Sequence, residues 1–392
     1  MGHKQTAQHV PGRHSYHQIG LVRGQFGHMR DMEFLEFLRE AGFDGYEEAC
    51  WLLDLGKCRN DTEASAYAQE RAGLLGGVGS PGLGVFSVAA HLPGQALGDE
   101  PSAKTLQFLG GESVEAYGKW RSGGNSPPRN DPFFVPSHVA NIARQQATDA
   151  LVNTVRFAHF MGKLQNRTVP VSGFVGSPAN CWSHWFRFPP IPKELGGHPI
   201  PDVFQVSLEL LVERFGPVLD ACKRYGTTFD LECHPSERAM GDIASAAEYL
   251  NAMDKAGYAS VTGFNLDASH MEWQGVSVIE FIREFGDRIH CVHLKGVQVA
   301  RGYTRNGLLG GHRPMGDRYN GWNFVTAGTT RDATPLEEII VELNHIGYSG
   351  ALSIEWEDND VNCEDGASRA LKNVRDADPR PSTMAHDEQL KV

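Results

Sequence analysis

The sequence predicts an α/β fold, a (β/α)8 TIM barrel with long loops on the C-terminal face, and three observations predict it. Eight short β-rich runs alternate with longer segments of helical period, the pattern of βα units repeated around a parallel sheet. Acidic residues and a histidine close four consecutive runs in the second half of the chain, where the strands of a barrel converge on one axis. Gly-aromatic pairs (Gly42-Phe43, Gly257-Tyr258, Gly347-Tyr348) stand between helical segments and the runs that follow, as αβ turns with a C-cap glycine do.

The runs, in order, are QIGLV (18–22), GYEEACW (45–51), LGVFSVAAHL (83–92), TVPVSGFVG (168–176), TTFDLECH (227–234), VTGFNLDAS (261–269), IHCVHLKG (289–296) and GALSIEWE (350–357). Helices are expected over 32–41, 64–76, 137–161, 206–224, 242–256, 276–285, 334–346 and 364–376. In the fourth of these, Leu208, Leu211, Phe215, Leu219 and Cys222 fall on one stripe, which should pack against the barrel wall. Three stretches exceed what a bare barrel needs: 93–136, 177–204 and 297–330. All follow strands and so belong to the face where barrel active sites lie; they are read as loops, with functional lids as one reading and disorder as the other. The domain reading is an N-terminal arm (1–17), a single catalytic barrel (18–376) and a polar C-terminal tail (377–392).

Composition sets the setting. A formal charge of −12 with no cluster of Lys and Arg disfavours a nucleic-acid surface, and a small neutral or polar substrate fits better. Seven cysteines without CxxC spacing suggest neither a thiolate zinc site nor a disulfide framework, so a reducing cytoplasm is the default. No apolar stretch reaches the roughly 18 residues of a membrane span, and the first residues lack the apolar core of a signal peptide.

The chemistry concentrates in Glu232 (FDLECHP), Asp267 (NLDASH), His293 (CVHLKG) and Glu355 (LSIEWED), each ending an apolar run. Three carboxylates brought together repel one another unless a cation lies between them. Oxygen donors with one imidazole suit Mn²⁺, Mg²⁺, Co²⁺ or Fe²⁺, with Mn²⁺ the first choice. Structural caps are the alternative reading for any one of these acids, and their recurrence at four consecutive strand ends argues against it. His234, two residues beyond Glu232, points to the same side if the strand continues and is then a candidate base; the alternative is that Pro235, which follows it, breaks the strand. His91 and Glu48 face the same mouth if the register is right and would bind substrate hydroxyls; a backbone-satisfied histidine and a carboxylate paired with an arginine are the alternatives. Lys295 reaches substrate or a ligand carboxylate, or forms a rim salt bridge. Trp182, Trp185, Phe186, Tyr319 and Trp322 are aromatics on which the flat face of a substrate can stack, or that simply pack their loops. The arginines of GYTRNG and GGHRPMGDR offer sites for a phosphate or carboxylate.

The strings LECHPSE, GFNLDASHMEWQG, RIHCVHLKG and GYSGALSIEWED, in this order, resemble the sugar phosphate isomerase/epimerase superfamily of xylose isomerase-like barrels. The resemblance covers about residues 18–376 in element order and is specific from 227 to 360. It implies that Glu232, Asp267, His293 and Glu355 hold one divalent metal, that Glu232 and Glu355 are the acid/base pair, and that His270 touches the substrate. It implies an isomerase or epimerase acting by proton abstraction next to a carbonyl that the metal polarises. The Glu232-x-His234 pair also resembles the catalytic subunits of bacterial C-glycoside deglycosidases, which implies as an alternative a lyase that cleaves 3-oxo-glycosides (C- or O-linked) by metal-assisted elimination, with His234 as base. A non-catalytic sugar-binding barrel or scaffold subunit is the third reading. Self-association, or pairing with a second subunit, is implied by the resemblance alone. The spacing from His293 to Glu355, 62 residues against 26 from Asp267 to His293, places an insertion beside the metal and suggests a bulkier substrate than a simple ketose. An endonuclease IV-like activity is disfavoured by charge and by the shortage of further histidine ligands.

Overall fold

The computed structural model describes residues 15–76, 82–186, 188, 194–195, 197–238, 241–300, 302, 304–309 and 313–382. In chain order the strands are β1 (Ile19–Val22), β2 (Gly45–Ala49), β3 (Gly84–Ala89), β4 (Val171–Gly173), β5 (Glu194–Leu195), β6 (His198–Pro199), β7 (Phe229–Glu232), β8 (Thr262–Asp267), β9 (Ile289–Leu294), β10 (Gly296–Val299), β11 (Trp322–Val325) and β12 (Leu352–Ile354). The α-helices are α1 (Asp31–Ala41), α2 (Asp61–Leu74), α3 (His91–Gly98), α4 (Ala103–Leu109), α5 (Gly111–Ser122), α6 (Ser137–Gln165), α7 (Val203–Tyr225), α8 (Ile243–Lys255), α9 (Ala268–Glu272), α10 (Val278–Phe285), α11 (Leu336–His345) and α12 (Cys363–Asp376). Eight strands close into a parallel barrel in the order β1-β12-β9-β8-β7-β4-β3-β2. Each contains part of one of the eight β-rich runs, and each of the eight expected helices is present. Contacts gather into two compact units, residues 1–46 with 267–392, and residues 47–266.

In the first unit β12 pairs with β1 on one side and β9 on the other, with Ser353 opposite His293. This register puts His293 and, two residues beyond Ser353, Glu355 on one face, because side chains alternate along a strand. The approach to β1 and the exit from α12 are tied together: Asp378 accepts from the His17 backbone N–H at 2.7 Å and meets the His17 ring at 2.8 Å. The stretch 297–330 is anchored by an antiparallel β10–β11 pair. Parts of the arginine segments (301, 303 and 310–312) and of the tail (383–392) lie outside the described residues, as do residues 1–14 of the arm.

In the second unit β7 pairs with β4 and β8, setting Asp230 opposite Ser172 and Glu232 opposite Asn265. The stripe foreseen on α7 is buried throughout, and α6 buries Val139, Ala143, Ala147, Leu151, Val155 and Ala158, the three-to-four spacing of an amphipathic helix. The stretch 93–136, expected to be loop, instead carries α4, α5 and most of α3. Two local signals explain α4 and α5: Ser102 and Thr105 form a capping box at the start of α4, and paired glycines bracket α5 (Gly110-Gly111, Gly123-Gly124). A satellite core of Leu106, Val135, Val139 and Ala143 secures them. The turn glycines Gly42, Gly257 and Gly347 have φ of +90°, +85° and +75°, as the αβ-turn reading requires. All seven cysteines are free thiols and six are buried.

Glu237, in the loop after β7, is fully buried. Its carboxylate accepts from the N–H groups of Val175 and Gly176, yet burial, with nearby Asp99 adding to it, pushes its carboxyl well above the ordinary range. The native state therefore keeps a proton that the unfolded chain releases near pH ~4.3, so this group's contribution to stability is full below that value and falls as pH rises toward the folded pKa. Glu237→Gln, which keeps an acceptor and removes the ionisation, should lose less stability than wild type between pH 5 and pH 8 in urea unfolding. Equal losses would show that Glu237 does not titrate this way.

Candidate active site

β8 ends on Asp267, whose Oδ1 accepts from the Ser269 N–H at 2.8 Å and so caps α9. One turn into α9, His270 brings Nε2 to 3.4 Å from Asp267 Oδ2. On β9 the alternation carries Cys291 and His293 to one face, and Lys295 follows directly after the strand. His293 Nδ1 lies 3.1 Å from Glu355 Oε2, and the Lys295 ammonium lies 2.8 Å from Glu355, 3.0 Å from Asp267, 3.3 Å from His270 Nε2 and 3.5 Å from Glu357. Phe324 of β11 closes this side, with the Lys295 Nζ 4.5 Å from its ring centroid and the His270 ring edge-on at 5.5 Å. Gln25, in the turn after β1, donates to Glu355 at 2.8 Å and to Glu357 at 3.1 Å. Burial raises the Glu357 carboxyl above its ordinary range, an effect that Lys295 opposes.

Glu232 ends β7, is 1% exposed, and accepts from the Asn265 amide at 2.7 Å. His91, the first residue of α3, sets Nε2 3.0 Å from the same Glu232 oxygen. The His91 ring stands edge-on to Phe174 at 4.6 Å, and His234 packs on Phe174 at 4.9 Å. The chain turns at His234, whose carbonyl accepts from the Glu237 N–H, so β7 stops at Glu232 and the extended strand assumed for His234 does not continue to it.

Glu48 departs from the expectation that it faces the mouth. Its neighbour Glu47 accepts from Ser87 and Ser172, sharing a face with Ser172, so alternation turns Glu48 the other way. There it is buried and bonded to Arg71 of α2 at 2.8 Å. The reading of β2 was one residue out of register, and the arginine-paired alternative is the one observed.

Ligand atoms of Glu232, Asp267, His293 and Glu355 all lie within 4.8 Å of one another, and those of His91, Glu232 and His293 form an overlapping group. All of these residues are buried. A buried set of three carboxylates with one imidazole fits a divalent cation of hard or borderline character, since Lys295 answers only part of the negative charge. Sequence reasoning missed Asn265, Gln25, Glu357, Phe174 and Phe324. Two carried a signal: in sequence, Asn265 alternates with Asp267 and Glu357 with Glu355, as His234 does with Glu232. The foreseen loop aromatics divide. Trp322 stacks on Trp273 at 4.7 Å, and Tyr319 is surrounded by the guanidinium groups of Arg305, Arg313 and Arg318, of which Arg313 is paired with Asp317. Trp182 and Trp185 stack on each other at 5.9 Å, and Phe186 is exposed.

The sequence profile of the family described as xylose isomerase-like TIM barrel matches residues 113–377. The chain belongs to that family. Solved structures similar to this xylose isomerase-like barrel include a D-psicose 3-epimerase from Clostridium cellulolyticum H10 with D-tagatose (16% identity, TM-score 0.50, covering 92% of this chain and 99% of that one). Another is an IolI protein with a zinc atom (15%, TM-score 0.51, 94% and 100%), and a third is the probable 3-DHS dehydratase AsbF of Bacillus anthracis (15%, TM-score 0.51, 91% and 97%). At such identities the likeness is one of fold. In sequence, 116 residues are 33% identical to the uncharacterized protein YfiH of Bacillus subtilis (strain 168). That match spans 29% of this xylose isomerase-like chain and 37% of the relative's length. Among the described residues no helix is long and apolar enough to cross a membrane.

Proposed function

We propose that this barrel is a sugar isomerase or epimerase that works with one divalent metal, Mn²⁺ being the first to test, by moving a proton at the carbon next to a carbonyl. The observation that carries the reading is the buried cluster of Glu232, Asp267, His293 and Glu355. Family membership supports it, and so do the epimerase and zinc-containing proteins of the same fold.

These four residues would hold the metal, which when bound supplies Lewis-acid stabilisation of the charge that develops on a sugar carbonyl oxygen. The chain's own groups do the rest. Glu232 as carboxylate takes a proton from the carbon and Glu355 as carboxylic acid delivers another to it, or the reverse for the opposite epimer. Asn265 and His91 fix the Glu232 carboxylate from two directions, and Gln25 and Lys295 fix Glu355, so neither needs to reorganise when it acts. His270, beside Asp267 and Lys295, offers a ring nitrogen to a sugar hydroxyl. Phe174 and Phe324 supply apolar walls, which strengthen these polar interactions by excluding water.

The test is incubation with a panel of ketoses and 3-oxo-glycosides in D₂O with Mn²⁺. Deuterium at the carbon next to the carbonyl, together with the epimer or isomer, is the expected result. Release of free aglycone from a 3-oxo-glycoside would assign the site to elimination instead. A panel that neither exchanges nor cleaves would favour a sugar-binding barrel without catalysis.

A further inference from the structure

The second unit contains another concavity, of about 470 Å³, walled by α3 and α4, the loop after β4 and the turn after β7. That volume lies in the range of about 300–1,000 Å³ usual for small-molecule sites. Each of three walls starts from a residue of the cluster around Glu232. His91 leads along α3 to Gln95 and Asp99, Phe174 leads to Ser177 and Trp182, and His234 leads to Ser236. Three walls of the concavity thus continue in the chain from the residues around Glu232.

Its lining combines apolar surface, including Trp182 and Phe108, with polar side chains, and its lining cation Lys104 stands among the acids Asp99 and Glu100, with its charge acting on Asp99. Glu100 is engaged by Arg214 at 2.6 Å and Arg144 at 3.0 Å, and Lys104 sits 5.7 Å from the ring centroid of Phe133. Asp99 accepts from the Ser177 N–H and the Gln95 amide. An anion would meet two lining acids against one lysine, whereas hydroxyl groups meet both acceptors and donors. Trp182 adds an aromatic wall that continues into Trp185. Of the four non-glycine residues with positive φ among those described, Asn180 (+51°) and Ser236 (+83°) line the concavity, and Ala179 (+54°) donates to Glu100 beside it. Such conformations persist only where the surroundings enforce them, and they cluster at ligand sites.

We propose that this concavity is a subsite for a second, neutral sugar ring, stacked on Trp182, so that the substrate is a glycoside or disaccharide rather than a free monosaccharide. The assignment of the reacting ring rests on the function proposed above; the subsite itself does not require the metal.

Titration calorimetry with maltose, cellobiose, glucose and glucose 6-phosphate tests it on wild type, His293→Ala, Trp182→Ala and Trp182→Phe. At least one disaccharide should bind about tenfold or more tighter than glucose to wild type, and the same ratio over glucose should hold in His293→Ala, whichever affinity the loss of the metal lowers. Trp182→Ala should bring that disaccharide to the level of glucose, and Trp182→Phe should restore most of the preference. Neither disaccharide exceeding glucose, Trp182→Ala leaving the preference intact, or glucose 6-phosphate binding best would each overturn the subsite. Absence of metal from wild type with the disaccharide preference intact would overturn the proposed function and leave the subsite standing.

Discussion

Glu232→Gln should lower the rate of solvent deuterium exchange by about 10³-fold, within the range that a positioned acid or base contributes, while the protein stays folded. The amide keeps the shape and can still face Asn265 and His91, but it has no carboxylate to accept a proton. Glu355→Gln should fall by a similar factor, and the double variant by much less than the product of the two, because removal and delivery are halves of one reaction and the residues act as a unit. Glu48→Gln is the contrasting case. Its partner is Arg71 rather than the site, so its effect belongs in the unfolding midpoint and not in the exchange rate per folded molecule. Exchange measured by mass spectrometry on the variants separates these outcomes, and Glu232→Gln exchanging like wild type would remove Glu232 from the reaction.

Gly98→Ala should destabilise the protein by about 3 kcal/mol, at the upper end for overpacking. The reason is backbone, not flexibility. A Cβ at Gly98 would stand 1.5 Å from the Val175 carbonyl oxygen, and one at Gly94 would stand 2.1 Å from that of Phe174. Helix α3 thus lies directly on the chain leaving β4, and these neighbours cannot swing away as a side chain would. The same helix begins with His91, so pushing α3 outward withdraws His91 from Glu232, and activity should fall with stability. Gly73→Ala in α2, where a Cβ meets nothing within 4 Å, should instead stabilise by about 0.5–1 kcal/mol. Urea midpoints of the two variants make the comparison, and a Gly98→Ala protein as stable as wild type would refute the close-packing account.

The barrel was legible because each βα unit carries its own pattern: an apolar run, a helical stripe such as that of α7, and a glycine at the turn back. The four central residues were legible for a related reason, since a strand end fixes where a side chain goes even when its neighbours are far away in sequence. What failed was finer. Glu47 and Glu48 are adjacent identical residues on a strand buried on both sides, so nothing in composition tells which faces inward; only the partners Ser87, Ser172 and Arg71 decide it. His234 depends on whether β7 continues, and a turn ends the strand first. The glycines and serines of α3 to α5 resemble loop chemistry and hide these helices in the sequence, although the capping pair Ser102 and Thr105 marks one of them. Gln25 sits in a turn with no periodicity, and no sequence pattern links it to Glu355, 330 positions away.

The central claim is that Glu232, Asp267, His293 and Glu355 form one divalent metal centre, and metal content tests it most directly. Elemental analysis should find about one equivalent of Mn or a similar divalent ion in wild type after reconstitution, and little in His293→Ala and Asp267→Ala, with all three proteins folded by circular dichroism. Wild type without metal under every reconstitution condition, or variants that retain a full equivalent, would contradict the account.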